Sequence, residues 1–136
     1  MAPIDIHLPL TPIFQHPPIL VGAMAKYYYD VGSRSDWIDF VLHENDFAIL
    51  QSHYSNAVRW TGLDQVIQIE KFRFRRSIEL FKYDAINENA VPRGNFAIIS
   101  LDRLYFITVV DASNSARGVE LDRLLKRMTL STGTAI

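Results

Sequence analysis

The residues whose types and spacing are best suited to chemistry lie between Val21 and Val41. Val21-Gly22-Ala23-Met24-Ala25 is a small-residue turn that opens a helix, and Ser33-Arg34-Ser35-Asp36-Trp37-Ile38-Asp39-Phe40-Val41 is a polar loop running into an apolar strand that carries a carboxylate. Glycine lets backbone approach a phosphate closely, and a carboxylate is a ligand that hard cations take. The order suggests phosphate near the turn and metal near the strand. A second candidate is Lys71-Phe72-Arg73-Phe74-Arg75-Arg76, whose alternation turns phenylalanines to a core and presents Arg73 and Arg75 on the other face to phosphate or RNA. A solvated strand face is the plainer reading of the same pattern. The four histidines, His7, His16, His43 and His53, show no ligand spacing. His43 follows the Asp39 strand and could approach a cleft there, or serve as a contact at a helix start.

The elements that must position these residues follow from punctuation and periodicity. Residues 1–18 contain Pro3, Pro9, Pro12, Pro17 and Pro18, which favour an extended arm packed on the domain, or a loose tail. A short apolar run at 19–21 ends at Gly22, and a helix is expected over 23–29. A compact strand is expected at 38–42, and then a helix over 44–54 with Phe47, Leu50 and Tyr54 on one face and Glu44 and Asp46 at its positive end. The period then changes to two. Strands are expected at 66–69, 72–75 and 78–81, neighbours in one sheet, followed by a loop at 87–95 and a short strand at 96–99. Ser100 is a cap for a helix starting at Leu101, and Leu121, Leu124, Leu125 and Met128 make the apolar face of a last helix over 119–128. Tyr27, Tyr28 and Tyr29 cover too many faces of one turn for all to be buried, so at least one is expected to be exposed, as at a partner surface.

Composition bounds the rest. A chain of 136 residues fits one domain: an arm at 1–18, a single domain at 19–130 and a tail at 131–136. Hydrophobic residues at 49% and aromatics at 12% argue against long disorder. The absence of cysteine excludes disulfides, thiolate zinc sites and cysteine nucleophiles and permits an intracellular setting, so a cytoplasmic location is expected. A net charge of −1 gives no global attraction to nucleic acid or anionic membrane. No signal-peptide pattern and no apolar run of transmembrane length occurs, so a soluble protein without a membrane partner is expected.

The order of elements from Ile19 to Met128 resembles the DNA polymerase beta-like nucleotidyltransferase superfamily, especially its small bacterial-type members linked to toxin–antitoxin and abortive-infection systems. The motifs that carry the resemblance are short. Gly22-Ala23 matches the family's glycine followed by Gly or Ser, Arg34-Ser35 its Arg and Ser or Thr, and Trp37-Ile38-Asp39 its pair of acids separated by one residue. Glu79 in Ile78-Glu79-Leu80-Phe81 matches the third carboxylate, and 100–104 and 117–125 look similar to the closing helices. The resemblance implies an α/β (α+β) fold, a mixed β-sheet flanked by helices. It also implies magnesium held by Asp39 and Asp36, Asp39 and Glu79 as catalytic acids, and Gly22, Ala23, Arg34 and Ser35 beside a nucleoside triphosphate.

The match departs from the family where chemistry would occur. Two carboxylates at alternate strand positions share a face and can hold magnesium, but Trp37 stands where the first belongs. Asp36 points the other way in a regular strand and substitutes only if a bulge redirects it. Ala23 lacks a serine hydroxyl, and Thr108 falls near the expected lysine. Each candidate also has a structural reading: Gly22 for close helix packing, Asp39 for a salt bridge to Arg34 or a cap, Glu79 for a cross-strand arginine, Trp37 for packing. Two functions follow. One is transfer of a nucleotidyl group from a magnesium-bound nucleoside triphosphate to a hydroxyl. The other is an inactive nucleotidyltransferase-like domain that binds a protein partner, a second copy of itself, a nucleotide or RNA.

Overall fold

The structure, a computed structural model, describes residues 6, 14–61, 64–78, 81–110 and 123–128. Seven strands of these residues form one mixed sheet. They are β1 (Ile19–Val21), β2 (Ile38–Val41), β3 (Val58–Thr61), β4 (Asp64–Ile69), β5 (Phe72–Arg75), β8 (Val91–Arg93) and β9 (Phe96–Ile98), in the order β3-β4-β5-β2-β1-β9-β8. β6 (Ser77–Ile78) and β7 (Phe81–Lys82) pair separately. The helices are α1 (Gly22–Tyr28), α2 (Glu44–His53), α3 (Tyr83–Asn87) and α4 (Leu101–Val110), with a further helical stretch at 123–128. The expected fold class, a mixed sheet flanked by helices, is the one observed. Among the described residues, no helix is long and apolar enough to cross a membrane.

The sheet is built outward from β1 and β2. β1 is antiparallel to β2 and parallel to β9, and β2 is parallel to β5. All three residues of β1 are fully buried, since α1 and α3 both contact it, and a strand covered by helices reads as an unbroken apolar run. Register sorts the next strands by face. Phe40, Phe72 and Phe74 lie together, with Phe40 to Phe74 centroids 5.9 Å apart, while Asp39 and Arg73 oppose each other on the other face. Phe14 and Phe96 extend the ring cluster, at 6.1 Å from Phe74 and 5.7 Å from Phe40. Each ring so buried contributes about 1.5–3 kcal/mol.

The described part of the N-terminal arm is packed. Asp46, in the first turn of α2, is buried and accepts hydrogen bonds from the backbone N–H groups of Gln15 at 3.1 Å and His16 at 2.9 Å. The Tyr83 hydroxyl donates to the Pro17 carbonyl at 2.7 Å, and Ala97 N–H donates to the Pro18 carbonyl at 2.9 Å. These anchors suit a segment whose Pro17 and Pro18 have no N–H to offer a ladder. The His16 ring stacks on His43 at 3.9 Å.

Several expectations need correction. The expected strand over 78–81 is not part of the main sheet: Ile78 and Phe81 pair with each other, antiparallel, in a separate two-stranded sheet. β8 lies inside the expected loop, β3 and α3 were not expected, and Leu125 is exposed while Leu124 is buried. No tyrosine of 27–29 is exposed; Tyr28 and Tyr29 are buried and Tyr27 is half-buried. The chain leaves the helix at Tyr29, whose ring swings out of the turn so that its hydroxyl donates to the Ile99 carbonyl at 2.7 Å. Arg93 bonds the Tyr28 hydroxyl and covers its ring. Ser100 does cap α4, accepting from Arg103 N–H at 3.2 Å. His7, Leu121 and the tail at 131–136 lie outside the described residues.

Two outcomes are expected. Removing the acceptor in Asp46→Ala strands two backbone donors and should lower stability by about 2–3 kcal/mol in urea denaturation, with Asp46→Asn, which keeps one oxygen, costing less. Burial pushes the Tyr29 hydroxyl up to about 12, aided by Tyr28, and burial with Asp46 and Asp84 nearby pushes Tyr83 up to about 12. Each proton is held more tightly in the folded chain than at the ordinary value of 10.0, so this stability is complete below pH 10 and is lost as pH rises toward 12. Phenolate absorbance should show two of the six tyrosines titrating late, together with unfolding.

Candidate functional site

Asp39 is the buried carboxylate around which the site is arranged. It sits second in β2, paired with Val21 of β1 on one side and Arg73 of β5 on the other. The parallel pairing is clamped at both ends, by Ile38 N–H to the Lys71 carbonyl at 2.9 Å and Leu42 N–H to the Arg75 carbonyl at 2.8 Å. Arg73 therefore faces Asp39 directly and binds it through two nitrogens, Nε to Oδ1 at 2.7 Å and a terminal nitrogen to Oδ2 at 2.9 Å. Arg75, two positions along the same face, places Nε 3.6 Å from Oδ1. Bidentate guanidinium–carboxylate pairs are among the strongest polar contacts a protein makes.

Trp37 and Gly22 complete the setting. The Arg73 guanidinium lies 4.8 Å from the centre of the Trp37 ring, so the residue at the expected first-acid position supports the arginine that neutralises the second acid. Gly22 has φ +68°, and a Cβ there would meet Asp39 Oδ2 at 3.2 Å. Both the backbone and the neighbouring carboxylate call for glycine. The start of α1 is thus set against a carboxylate of its own chain.

The other expected site residues are dispersed. Arg34 and Asp36 are exposed in the loop before β2, and Ser35 uses its hydroxyl to accept from Trp37 N–H at 3.1 Å. Asp39 takes its ion pairs from Arg73 and Arg75 rather than from Arg34. Ala23 follows Gly22 in α1, half-buried. Thr108 is buried and donates to the Leu104 carbonyl at 2.8 Å. Glu79 lies outside the described residues. Among the described residues no three His, Asp or Glu side chains converge as a metal-binding group.

Thr61, Asp64 and Ser77, which spacing did not reveal, join Gly22, Asp39 and Arg75 to line a cleft of about 300 Å³. Asp64 is bound by Arg76 at 2.9 Å and approached by the Ser77 hydroxyl at 3.4 Å. Burial would raise its pKa, but the hydrogen bonds from Arg76, Gln65 N–H and Ser77 outweigh it and hold the carboxyl below its ordinary value. Both carboxylates of the cleft are therefore engaged by guanidinium groups, and Arg73 and Arg75 together carry one more positive charge than Asp39 cancels.

No protein-family model, curated protein sequence or solved structure matches this chain. The site stands on its own geometry. Arg73→Ala should destabilise the fold more than Asp39→Asn, because the first leaves a buried carboxylate with Arg75 alone while the second leaves an arginine whose side chain is 30% exposed. Denaturant unfolding should show a loss of about 2–3 kcal/mol for Arg73→Ala, less than for an unaided buried charge.

Proposed function

We propose that this chain is a degenerate nucleotidyltransferase-like domain that binds a nucleoside triphosphate through its phosphates and does not transfer it. Support for the framework comes from the succession of β1, a positive-φ glycine, α1 and the acid-bearing β2 antiparallel to β1. The observation that carries the binding reading is Arg73 and Arg75 gathered at a single carboxylate, beside an open cleft. Two guanidiniums against one acid favour an anion, and Arg is suited to phosphate because its planar fork meets two oxygens at once. Arg75 is the better contact of the two, since both distances place Arg73 in tight pairing with Asp39 while Arg75 stands off at 3.6 Å.

The reading of a magnesium-dependent transferase differs in what Asp39 must do. There the carboxylate would have to leave Arg73 and ligate magnesium, and a metal clamp on the reacting oxygens is what such chemistry depends on. The two readings predict opposite metal behaviour. In the binding module, magnesium neutralises part of the triphosphate and competes with the arginines.

Calorimetric titration of each nucleoside triphosphate into the purified protein separates them. Binding is expected without magnesium and weaker with it, and Arg75→Glu is expected to reduce affinity at least about tenfold, roughly 1.4 kcal/mol. Binding that requires magnesium, is lost in Asp39→Asn and is accompanied by transfer of an α-phosphate label to an acceptor would replace this reading with the transferase one.

A further inference from the structure

The cleft beside Asp39 does not end at Asp64 and Ser77. The same two residues line a second cleft of about 400 Å³, walled by His43, Glu44, Lys82, Tyr83 and Asp84. The partition between the lobes is the Arg76–Asp64 ion pair with the Ser77 hydroxyl against it, a pair whose charges cancel. The lobes on either side differ in sign. With the Asp64–Arg76 pair set aside, the first has Arg75 left over because Asp39 is already bound by Arg73, while the second has Glu44 and Asp84 against Lys82.

The second lobe also has a rigid aromatic wall. The His43 ring is held by stacking on His16 at 3.9 Å and meets the Tyr83 ring edge-on at 5.5 Å. Its Nδ1 accepts from Asn45 N–H at 3.2 Å as the cap of α2, so the neutral ring carries its proton on Nε2. Tyr83 is fixed by its hydrogen bond to the Pro17 carbonyl. Pockets of several hundred Å³ with flat aromatic walls and a few placed polar groups are what small planar ligands fit.

We infer that the two lobes form one groove for a nucleoside phosphate, with phosphate beside Arg75 and a base bearing an exocyclic amino group against His43 and Tyr83. The inference rests on the nucleotide-binding reading above and adds the place and kind of base. Carboxylates accept hydrogen bonds from the amino groups of adenine, cytosine and guanine. Uracil has no amino group and offers a carboxylate only its ring N3–H, which lies between two carbonyl oxygens that acidic neighbours repel. The groove therefore selects against uridine nucleotides.

The test is magnesium-free calorimetry with ATP, CTP, GTP, UTP and inorganic tripolyphosphate on three proteins: wild type, His43→Asn, and the double variant Glu44→Gln, Asp84→Asn. Asparagine keeps an acceptor for the α2 cap while removing the ring, so the melting temperature should stay close to that of wild type. Wild type is expected to bind ATP, CTP and GTP about five- to tenfold more tightly than UTP, the scale of one net hydrogen bond. His43→Asn should bring the nucleotides down to the affinity of tripolyphosphate and leave tripolyphosphate unchanged, and the double variant should erase the discrimination against UTP. Equal binding of all four nucleotides and tripolyphosphate would overturn the base lobe and leave phosphate binding standing. Failure of every one of these probes to bind would overturn both.

Discussion

A carboxylate on an interior strand is the constraint to which the surrounding residues answer. Moving a charged carboxylate out of water costs several kcal/mol, and nothing apolar nearby can offset that, so Asp39 dictates its neighbours. Arg73 stands opposite it in register, in the parallel pairing of β5 with β2. Arg75 must follow on the same face, and the residue at the start of α1 must lack a side chain because the carboxylate occupies that space. Trp37 then covers the guanidinium from the loop side. A one-residue slip between β2 and β5 would place a phenylalanine opposite Asp39 and turn the arginines to the ring cluster, so the ion pair and the apolar core enforce the same register.

What could be read from the sequence was whatever rests on local pattern. The strand ending at Gly22, the acid-bearing strand, α2 with Phe47 and Leu50 inward and the alternation of Phe72 to Arg75 all carry their period within a few residues. Ser100 declares its cap in the same way. The missed elements have no such period. β3 is a short edge strand that leaves Trp60 exposed, β8 contains Pro92, and α3 is a turn and a half held by the burial of Tyr83 and Ile86. Pro tolerates an edge position, where one side of the strand needs no donor, which is why a segment that reads as a loop still pairs.

The site was legible in part for the same reason. Gly22 and Asp39 stood out because their residue types are costly where they occur, but Arg34 seemed the nearer partner for Asp39 by chain position. The actual partner is 34 residues away, in a parallel pairing that no local spacing encodes. Arg76 closed the basic stretch of 71–76, but Asp64 and Ser77 gave no signal, being ordinary polar residues until β4 and β6 bring them to it. Asp46 looked like a favourable acid at a helix start, and it is, yet its larger role is to accept the backbone of the N-terminal arm.

That arm links the fold to the groove. The same few residues that Asp46 holds also place His16 under His43 and offer Tyr83 its acceptor, so the aromatic wall depends on a segment with no regular secondary structure of its own. The side with Asp39, Arg73 and Arg75 depends instead on strand register. Trp37 lies over the Arg73 guanidinium that binds Asp39, so the loop before β2 and the register of β5 act on the same ion pair. On β5 two arginines stand across from the one acid of β2, so this face of the sheet carries a local excess of positive charge.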